Sequence, residues 1–179
     1  YATSPGKYTT ALIMALGLFA IASGYNAIYL SLSLGMAIIV ISGIQSERVI
    51  RSHEVLGFRD ATTDAGRKFH LELHVANLSS EYPVYGVDCL VPATFNFPTK
   101  MTDRLETVAK GRTLALQPGE NRWILLESQG FRRGIYSELR VVQKTIFPFG
   151  LIAKFKYRSV DGHLTVLPKW DSDLADQLK

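Results

Sequence analysis

Charge is missing from the early part of this 179-residue chain. Between Tyr8 and Ser46 the sequence holds no Lys, Arg, Asp, Glu or His, and charged residues return at once with Glu47 and Arg48. A soluble domain does not leave so long a segment uncharged. A lipid bilayer requires it, because a charge at mid-membrane costs about 3 kcal/mol or more. The uncharged segment therefore predicts a membrane anchor.

The length of this segment predicts two membrane spans rather than one. A single helix would be about 58 Å long, whereas the hydrocarbon core is about 30 Å thick. Residues 23–26 (Ser-Gly-Tyr-Asn) supply a turn signal, since Gly and Asn tolerate positive φ. We therefore predict a transmembrane hairpin over residues 1–46, with spans at about 8–22 and 27–44. A cleaved signal peptide is the alternative, but a second apolar run follows the first directly.

The charges that flank the spans predict the orientation of the hairpin. Lys7 precedes the first span, and the turn carries no cation. The second span is followed by three arginines, namely Arg48, Arg51 and Arg59. Positive flanks stay on the cytoplasmic side, so both termini and the β-domain are predicted to be cytoplasmic. The only cysteine, Cys89, cannot form an internal disulfide, and we expect it to be a buried apolar residue.

The cations of the chain are scattered along its length. Lys and Arg number 20 against 16 Asp and Glu, which gives a formal net charge of +4 at pH 7 and a sequence pI near 9.2. Nucleic-acid binding requires a focused basic patch, and the sequence has none. We therefore expect no nucleic-acid partner and predict attraction to anionic membrane lipid beside the anchor.

Residues 47–170 predict an all-β domain. Phe69, Leu71, Leu73 and Val75 alternate with polar residues, which is typical of a half-buried strand. Further strands are predicted at residues 49–58, 82–91, 105–108, 113–116, 121–127, 134–143, 151–158 and 163–167, with turns at 110–111, 117–120 and 161–162. These segments, separated by turn signals, predict an antiparallel immunoglobulin-like β-sandwich of seven or eight strands, without its disulfide. Residues 95–101 are expected to form a long connection, and residues 171–179 a polar tail.

The sequence carries no recognisable motif for catalysis, cofactor binding or metal binding. It has no phosphate-binding loop, no Gly-x-Gly-x-x-Gly fingerprint and no Gly-x-Ser-x-Gly elbow. His70, Glu72 and His74 share one side of a predicted strand, but ligands so close along one strand seldom converge on one ion. We interpret them as a solvated strand face, and no partner is visible for His53. These observations predict a protein that is not an enzyme and binds no cofactor.

Two segments are candidate partner contacts. Arg132 and Arg133 lie between glycines, and paired guanidinium groups can hold a carboxylate or a phosphate. The alternative is a hairpin that displays both arginines to solvent. Phe147, Phe149 and Leu151 belong to an apolar loop with Pro and Gly, which could form an exposed docking surface. The alternative is a loop folded over the end of the core.

Several short motifs follow one another in a distinctive order. They lie at residues 3–6 (Thr-Ser-Pro-Gly), 23–26 (Ser-Gly-Tyr-Asn), 42–47 (Ser-Gly-Ile-Gln-Ser-Glu), 118–119 (Pro-Gly), 132–136 (Arg-Arg-Gly-Ile-Tyr), 148–151 (Pro-Phe-Gly-Leu) and 166–169 (Val-Leu-Pro-Lys). This order resembles the N-terminal half of a bacterial membrane protein family known as domain of unknown function fifty-eight. The resemblance covers nearly the whole chain, although Phe147 stands where that family usually has Asp.

The resemblance implies a location and a partner. Members of that family continue into a von Willebrand factor A-like domain, into which the tail at residues 171–179 is expected to lead and whose characteristic stretches do not occur within these 179 residues. The resemblance also implies the bacterial inner membrane and partnership with a MoxR-type AAA+ ATPase. We hypothesise a non-enzymatic scaffold or adaptor in protein or complex assembly, acting by tethering.

A second hypothesis is an accessory structural subunit of a larger membrane enzyme or transport complex. In that case the small residues of the spans would allow close packing on other membrane subunits. They are Gly17, Ser31, Ser33, Gly35 and Ala37. The oligomeric state is not predicted.

Overall fold

Two helices precede eight strands in the computed structural model, which describes residues 1–93 and 107–168. The helices are α1 Ser4–Ser23 and α2 Asn26–Ser52. The strands are β1 His53–Phe58, β2 Ala61–Asp64, β3 Phe69–Asn77, β4 Val84–Pro92, β5 Thr107–Leu116, β6 Asn121–Ser128, β7 Gly134–Thr145 and β8 Lys154–Leu167. This order confirms the prediction of a helical hairpin followed by an all-β domain. The predicted connection at 95–101 and the predicted tail at 171–179 lie outside the described residues.

The hairpin has a capped start and a glycine turn. Thr3 Oγ1 accepts a hydrogen bond from the Gly6 N–H at 3.1 Å, and Pro5 occupies the first turn of α1. The helix ends at Gly24, whose φ is +68° and whose N–H donates to Ala20 O at 3.0 Å. Both helices are long and apolar enough to cross a membrane, and their large apolar side chains are mostly exposed.

The second helix is longer than the predicted span and reaches the β-domain directly. Ser42, Ser46, Val49 and Ile50 are buried and recur at the spacing of one helical face. Because Val49 and Ile50 join the hydrophobic core of the sandwich, the helix continues to Ser52 and β1 follows without a linker. The expectation that a strand begins at Val49 is therefore wrong.

The eight strands form one curled sheet in the order β1-β3-β6-β5-β4-β7-β8-β2. Strand β5 pairs with β6 only at Ala109 and Lys110, so the sheet opens there into two layers, β1-β3-β6 and β5-β4-β7-β8-β2, as in an immunoglobulin-type sandwich. Leu71, Leu73 and Val75 point into the core between the layers, as the alternation predicted. Among the described strands, only β2 and β8 pair in parallel, because the chain changes layer between β1 and β2. The predicted immunoglobulin-like sandwich is confirmed.

Two predicted turns are wrong, because the strands run straight through them. Gly111 lies inside β5, where a Cβ atom would come within 2.7 Å of Leu125 O. Gly162 lies inside β8, where a Cβ atom would come within 2.7 Å of the Phe58 ring. Both glycines therefore serve close packing rather than chain reversal.

Candidate functional site

The loop at residues 148–151 is fastened to the start of α1, at the end of the sandwich that receives α2. We call this end the helix-proximal end. The Thr3 N–H donates to Leu151 O at 3.0 Å, and Thr3 Oγ1 donates to Gly150 O. A Cβ atom on Gly6 would lie 2.0 Å from Leu151 O, so α1 and the loop touch backbone to backbone. The motif at residues 3–6 and the motif at residues 148–151 are far apart in the sequence, yet they are in direct contact in the fold.

This fastening limits what the apolar loop can present to a partner. Leu151 is buried, and the partly buried Phe147 packs its ring at 5.5 Å from that of Tyr85. Only Phe149 has a large exposed fraction, 53%. Most of the loop is thus folded against the protein, and Phe149 is the member of this candidate contact that faces outward.

The paired arginines lie at the opposite, helix-distal end of the sandwich. Arg132 and Arg133 are both exposed just before β7, whose length separates them from the apolar loop by about 36 Å. Their backbone is anchored by buried Phe131, which packs on Phe69 and Tyr136, while Tyr136 Oη donates to Arg132 O at 2.9 Å. Arg132 also lines a cavity of about 590 Å³. The structure therefore does not bring the two candidate segments together.

His53 organises the helix-proximal end in a way that the sequence did not reveal. Its ring is fully buried, with Nδ1 2.7 Å from Gln143 Oε1 and Nε2 3.1 Å from Thr113 Oγ1. Since the Gln143 oxygen can only accept, Nδ1 donates to it, and in the neutral ring Nε2 accepts from the Thr113 hydroxyl. The ring thus links both layers of the sandwich at the point where α2 ends. Its partners are 60 and 90 residues away, so no local pattern indicates them.

Burial lowers the pKa of His53 below its ordinary value, and the hydrogen bond with Gln143 opposes this shift only in part. The ring is therefore neutral at pH 7. The geometry suits a neutral ring, in which Nδ1 donates to Gln143 Oε1 and Nε2 accepts from the Thr113 hydroxyl. His53 is a structural residue in this state.

Ion pairs close the junction around the end of α2. Lys156 Nζ donates to His53 O at 2.8 Å and to Glu54 Oε2 at 2.6 Å, and Arg158 Nε pairs with Glu54 Oε1 at 2.6 Å. A cation at a helix C-terminus is favourable because it faces the negative end of the helix dipole. Burial alone would raise the pKa of Glu54, but the hydrogen bonds from Lys156 and Arg158 outweigh it and hold that pKa below its ordinary value.

One turn earlier, Glu47 bridges the helix and the sandwich. Its carboxylate pairs with Arg51 Nε at 2.6 Å and with Lys154 Nζ at 2.9 Å. The hydrogen bonds from Lys154 and Arg51 lower the pKa of Glu47. The helix is thus bonded to the sandwich through side chains as well as through the backbone.

The other side chains that were considered for metal binding or catalysis make contacts that stabilise the fold. His74 stacks on Trp123 with ring centroids 4.6 Å apart, and Glu72 pairs with Arg59 at 2.6 Å on the outer strand face. Within residues 1–93 and 107–168, no group of three or more His, Cys, Asp or Glu side chains is placed to hold a metal ion. Cys89 is fully buried as predicted, and burial raises the pKa of its thiol to about 12, so it is not a nucleophile.

Fold and junction together define a class: an apolar helical hairpin joined without a linker to an immunoglobulin-like β-sandwich. No protein-family model matches the chain, and no curated protein matches it. Among solved structures it is similar to the ASH / PapD-like domain of human CEP192 (PapD-like domain 7), with a TM-score of 0.33 and 10% sequence identity. That alignment covers 66% of this chain and 87% of the other.

Proposed function

We propose that this chain is a membrane-anchored, non-enzymatic scaffold that holds an immunoglobulin-like domain at the cytoplasmic face of the bacterial inner membrane. The observation that carries the proposal is the unbroken passage from α2 into β1. A flexible linker would let the sandwich tumble, whereas the Glu47–Lys154 ion pair and the burial of Val49 and Ile50 in the sandwich core hold it in one orientation relative to the hairpin. Such an arrangement suits a protein that presents a surface at a fixed height above a membrane.

The dimensions of α2 support this placement. From Asn26 to Gln45 the helix would rise about 30 Å, which is the thickness of a hydrocarbon core. Its last turns then carry Glu47, Arg48 and Arg51 into the headgroup layer and beyond. Arginines on this side and none at the turn favour a cytoplasmic sandwich.

The helix-distal end would be the surface that meets a soluble partner. Arg132 and Arg133 lie there, about 36 Å from the anchored loop and pointing away from the membrane in this placement. We propose a MoxR-type AAA+ ATPase as the partner, in the assembly of proteins or complexes. Tethering would act by raising the effective concentration of both proteins at the membrane.

Co-purification in mild detergent tests the partnership. The wild type should recover an AAA+ ATPase, and Arg132→Glu/Arg133→Glu should lose most of it because the variant inverts the charge of the proposed contact. Arg67→Glu/Lys68→Glu is the matched control, since it makes the same change in charge at exposed residues of the same end. Recovery of lipid and the chain alone, from cells that contain the ATPase, would refute the partnership.

Cysteine labelling tests the orientation independently. Because Cys89 is buried and inert, an introduced Tyr25→Cys or Lys68→Cys would be the reactive thiol in the described part of the chain. An impermeant maleimide should label the first variant in intact spheroplasts and the second only after lysis. The reverse pattern would place the sandwich outside the cytoplasm.

The alternative of an accessory subunit in a larger membrane complex has less support from the hairpin. Gly35 packs against Ile13, and Gly17 faces Leu32, so these glycines serve contact between α1 and α2. A stable multi-subunit particle without an ATPase, recovered in the same co-purification, would favour this alternative.

A further inference from the structure

A cleft with an apolar floor and a cationic rim lies where α2 leaves the apolar part of the hairpin. Its volume is about 640 Å³. Ile44 and Ile152 contribute to the floor, and the rim is formed by Glu47, Arg48, Arg51 and Lys154. The cleft therefore combines, within one helical turn, surfaces that suit a hydrocarbon chain and an anion.

The rim carries more positive than negative charge. Its one carboxylate, Glu47, is shared between a single nitrogen of Arg51 at 2.6 Å and the Lys154 ammonium at 2.9 Å. Within residues 1–93 and 107–168, Arg48 pairs with no carboxylate, and its guanidinium lies over the Tyr82 ring at 5.0 Å. Three cations face one anion, so the cleft has a net charge that an anionic ligand would neutralise.

The height of the cations matches the headgroup layer of a bilayer. Arg48 follows Ile44 by four residues, which is about 6 Å along the helix. The polar layer on each side of a bilayer is about 5–8 Å thick. If the hydrocarbon boundary lies near Ile44, as the length of α2 suggests, Arg48 reaches the level of lipid phosphates.

We propose that this cleft binds the phosphate of an anionic phospholipid, with an acyl chain along Ile44 and Ile152. Arg48, Arg51 and Lys154 supply the donors, and arginine suits phosphate because its planar fork can donate two parallel hydrogen bonds. Arg51 uses only Nε toward Glu47, which leaves its terminal nitrogens for the ligand. The inference rests on the membrane anchorage proposed above and adds a specific lipid site to it.

The test measures lipid binding to the full chain in mild detergent, at about 0.15 M salt to suppress non-specific attraction. Phosphatidylglycerol and phosphatidylcholine of the same chain length are titrated separately, and bound lipid is counted by native mass spectrometry. Each removed cation should weaken binding of the anionic lipid about fivefold, so Arg48→Gln/Arg51→Gln should bind phosphatidylglycerol about 25-fold more weakly. Arg67→Gln/Lys68→Gln, with the same loss of charge at the helix-distal end, should bind like the wild type.

The outcomes separate this proposal from its alternatives. The proposal would be overturned if the wild type bound both lipids equally well. It would also be overturned if the Arg48→Gln/Arg51→Gln variant bound phosphatidylglycerol as tightly as the wild type does. A third titration uses inorganic phosphate alone, and binding as tight as that of phosphatidylglycerol would assign the cleft to a soluble phosphate and overturn the lipid site. Extraction of membranes with alkaline carbonate tests the anchorage by itself. A chain that resists extraction but shows no lipid preference would contradict only the lipid site, whereas a chain that is extracted would contradict the anchorage.

Discussion

The two ends of the sandwich use similar residues for opposite purposes. At the helix-proximal end, two buried polar side chains make several hydrogen bonds: His53 to Gln143 and Thr113, and the Asn77 amide to the Tyr82 and Gln117 carbonyl oxygens at 2.8 and 3.0 Å. At the helix-distal end, the side chains of Arg132 and Arg133 are exposed. The first end is built for assembly with the hairpin, and the second is left available for recognition.

This difference shows that the role of a polar residue near a turn, in stability or in recognition, cannot be assigned until its contacts are known. Asn77 belongs to a sequon-like Asn-Leu-Ser and would pass for an exposed turn residue. It is instead nearly fully buried, and its amide holds two loops together. Replacing the buried polar side chains of the helix-proximal end should therefore lower stability strongly, whereas replacing the exposed side chains of the helix-distal end should change it little.

The largest effect is expected from His53→Ala. The change removes a buried ring and leaves the Gln143 oxygen and the Thr113 hydroxyl without their partner, so the free energy of unfolding should fall by about 3 kcal/mol. His163→Ala is the matched control at the helix-distal end, where the imidazole is exposed, and it should change stability by less than about 0.5 kcal/mol. Denaturant unfolding in mild detergent measures both. Equal losses of unfolding free energy in the two variants would contradict the predicted difference between the two ends.

Gly6→Ala should have the next largest effect. The new methyl group would meet Leu151 O at 2.0 Å, so α1 must shift away from the loop at a cost of about 2 kcal/mol. Hydrogen exchange should quicken at the Thr3 amide, which donates to Leu151 O. Gly43→Ala is the control, because its methyl group would make an ordinary contact with Ile152 at 3.4 Å. Unchanged exchange in Gly6→Ala would mean that α1 is not fastened there.

The buried imidazole also predicts a pH dependence. The folded-state pKa of His53 lies below its ordinary value near 6.5, so the unfolded chain binds its proton first as the pH falls. The stability contributed by neutral His53 is complete above pH 6.5 and should fall by about 1 kcal/mol for each pH unit below it, until the folded ring is protonated. Unfolding at pH 7.5, 6 and 5 measures the slope, and comparison with His53→Gln cancels the other titrating groups. If the unfolding free energy depended on pH equally in the wild type and in His53→Gln, the pH dependence could not be assigned to His53.

The fold could be predicted because it rests on local patterns. An uncharged segment, a Gly turn and strict alternation in β3 depend on neighbours in the sequence, and the structure confirms the hairpin and the sandwich. Gly111 and Gly162 misled the prediction for a physical reason. Glycine permits both a turn and a close approach, and only the positions of Leu125 and Phe58 decide between them.

The junction could not be predicted, because its bonds join residues far apart in the chain. His53 meets Gln143 across 90 residues, and Thr3 meets Leu151 across 148. The paired arginines were visible as a pattern because both members are adjacent. A sequence therefore reveals a candidate contact made by neighbours more readily than one assembled by folding.

The smallest effect is expected at the helix-distal end, from Arg132→Ala/Arg133→Ala. Both side chains are exposed, and Tyr136 bonds the backbone oxygen of Arg132 rather than its side chain, so stability should change by less than about 0.5 kcal/mol. Tyr136→Phe tests the backbone anchor separately and should cost about 1 kcal/mol by removing that hydrogen bond. Thermal unfolding of the three proteins in one detergent measures both effects. A large loss from the arginine pair would mean that these side chains support the fold, and their proposed role as a free recognition surface would then fail.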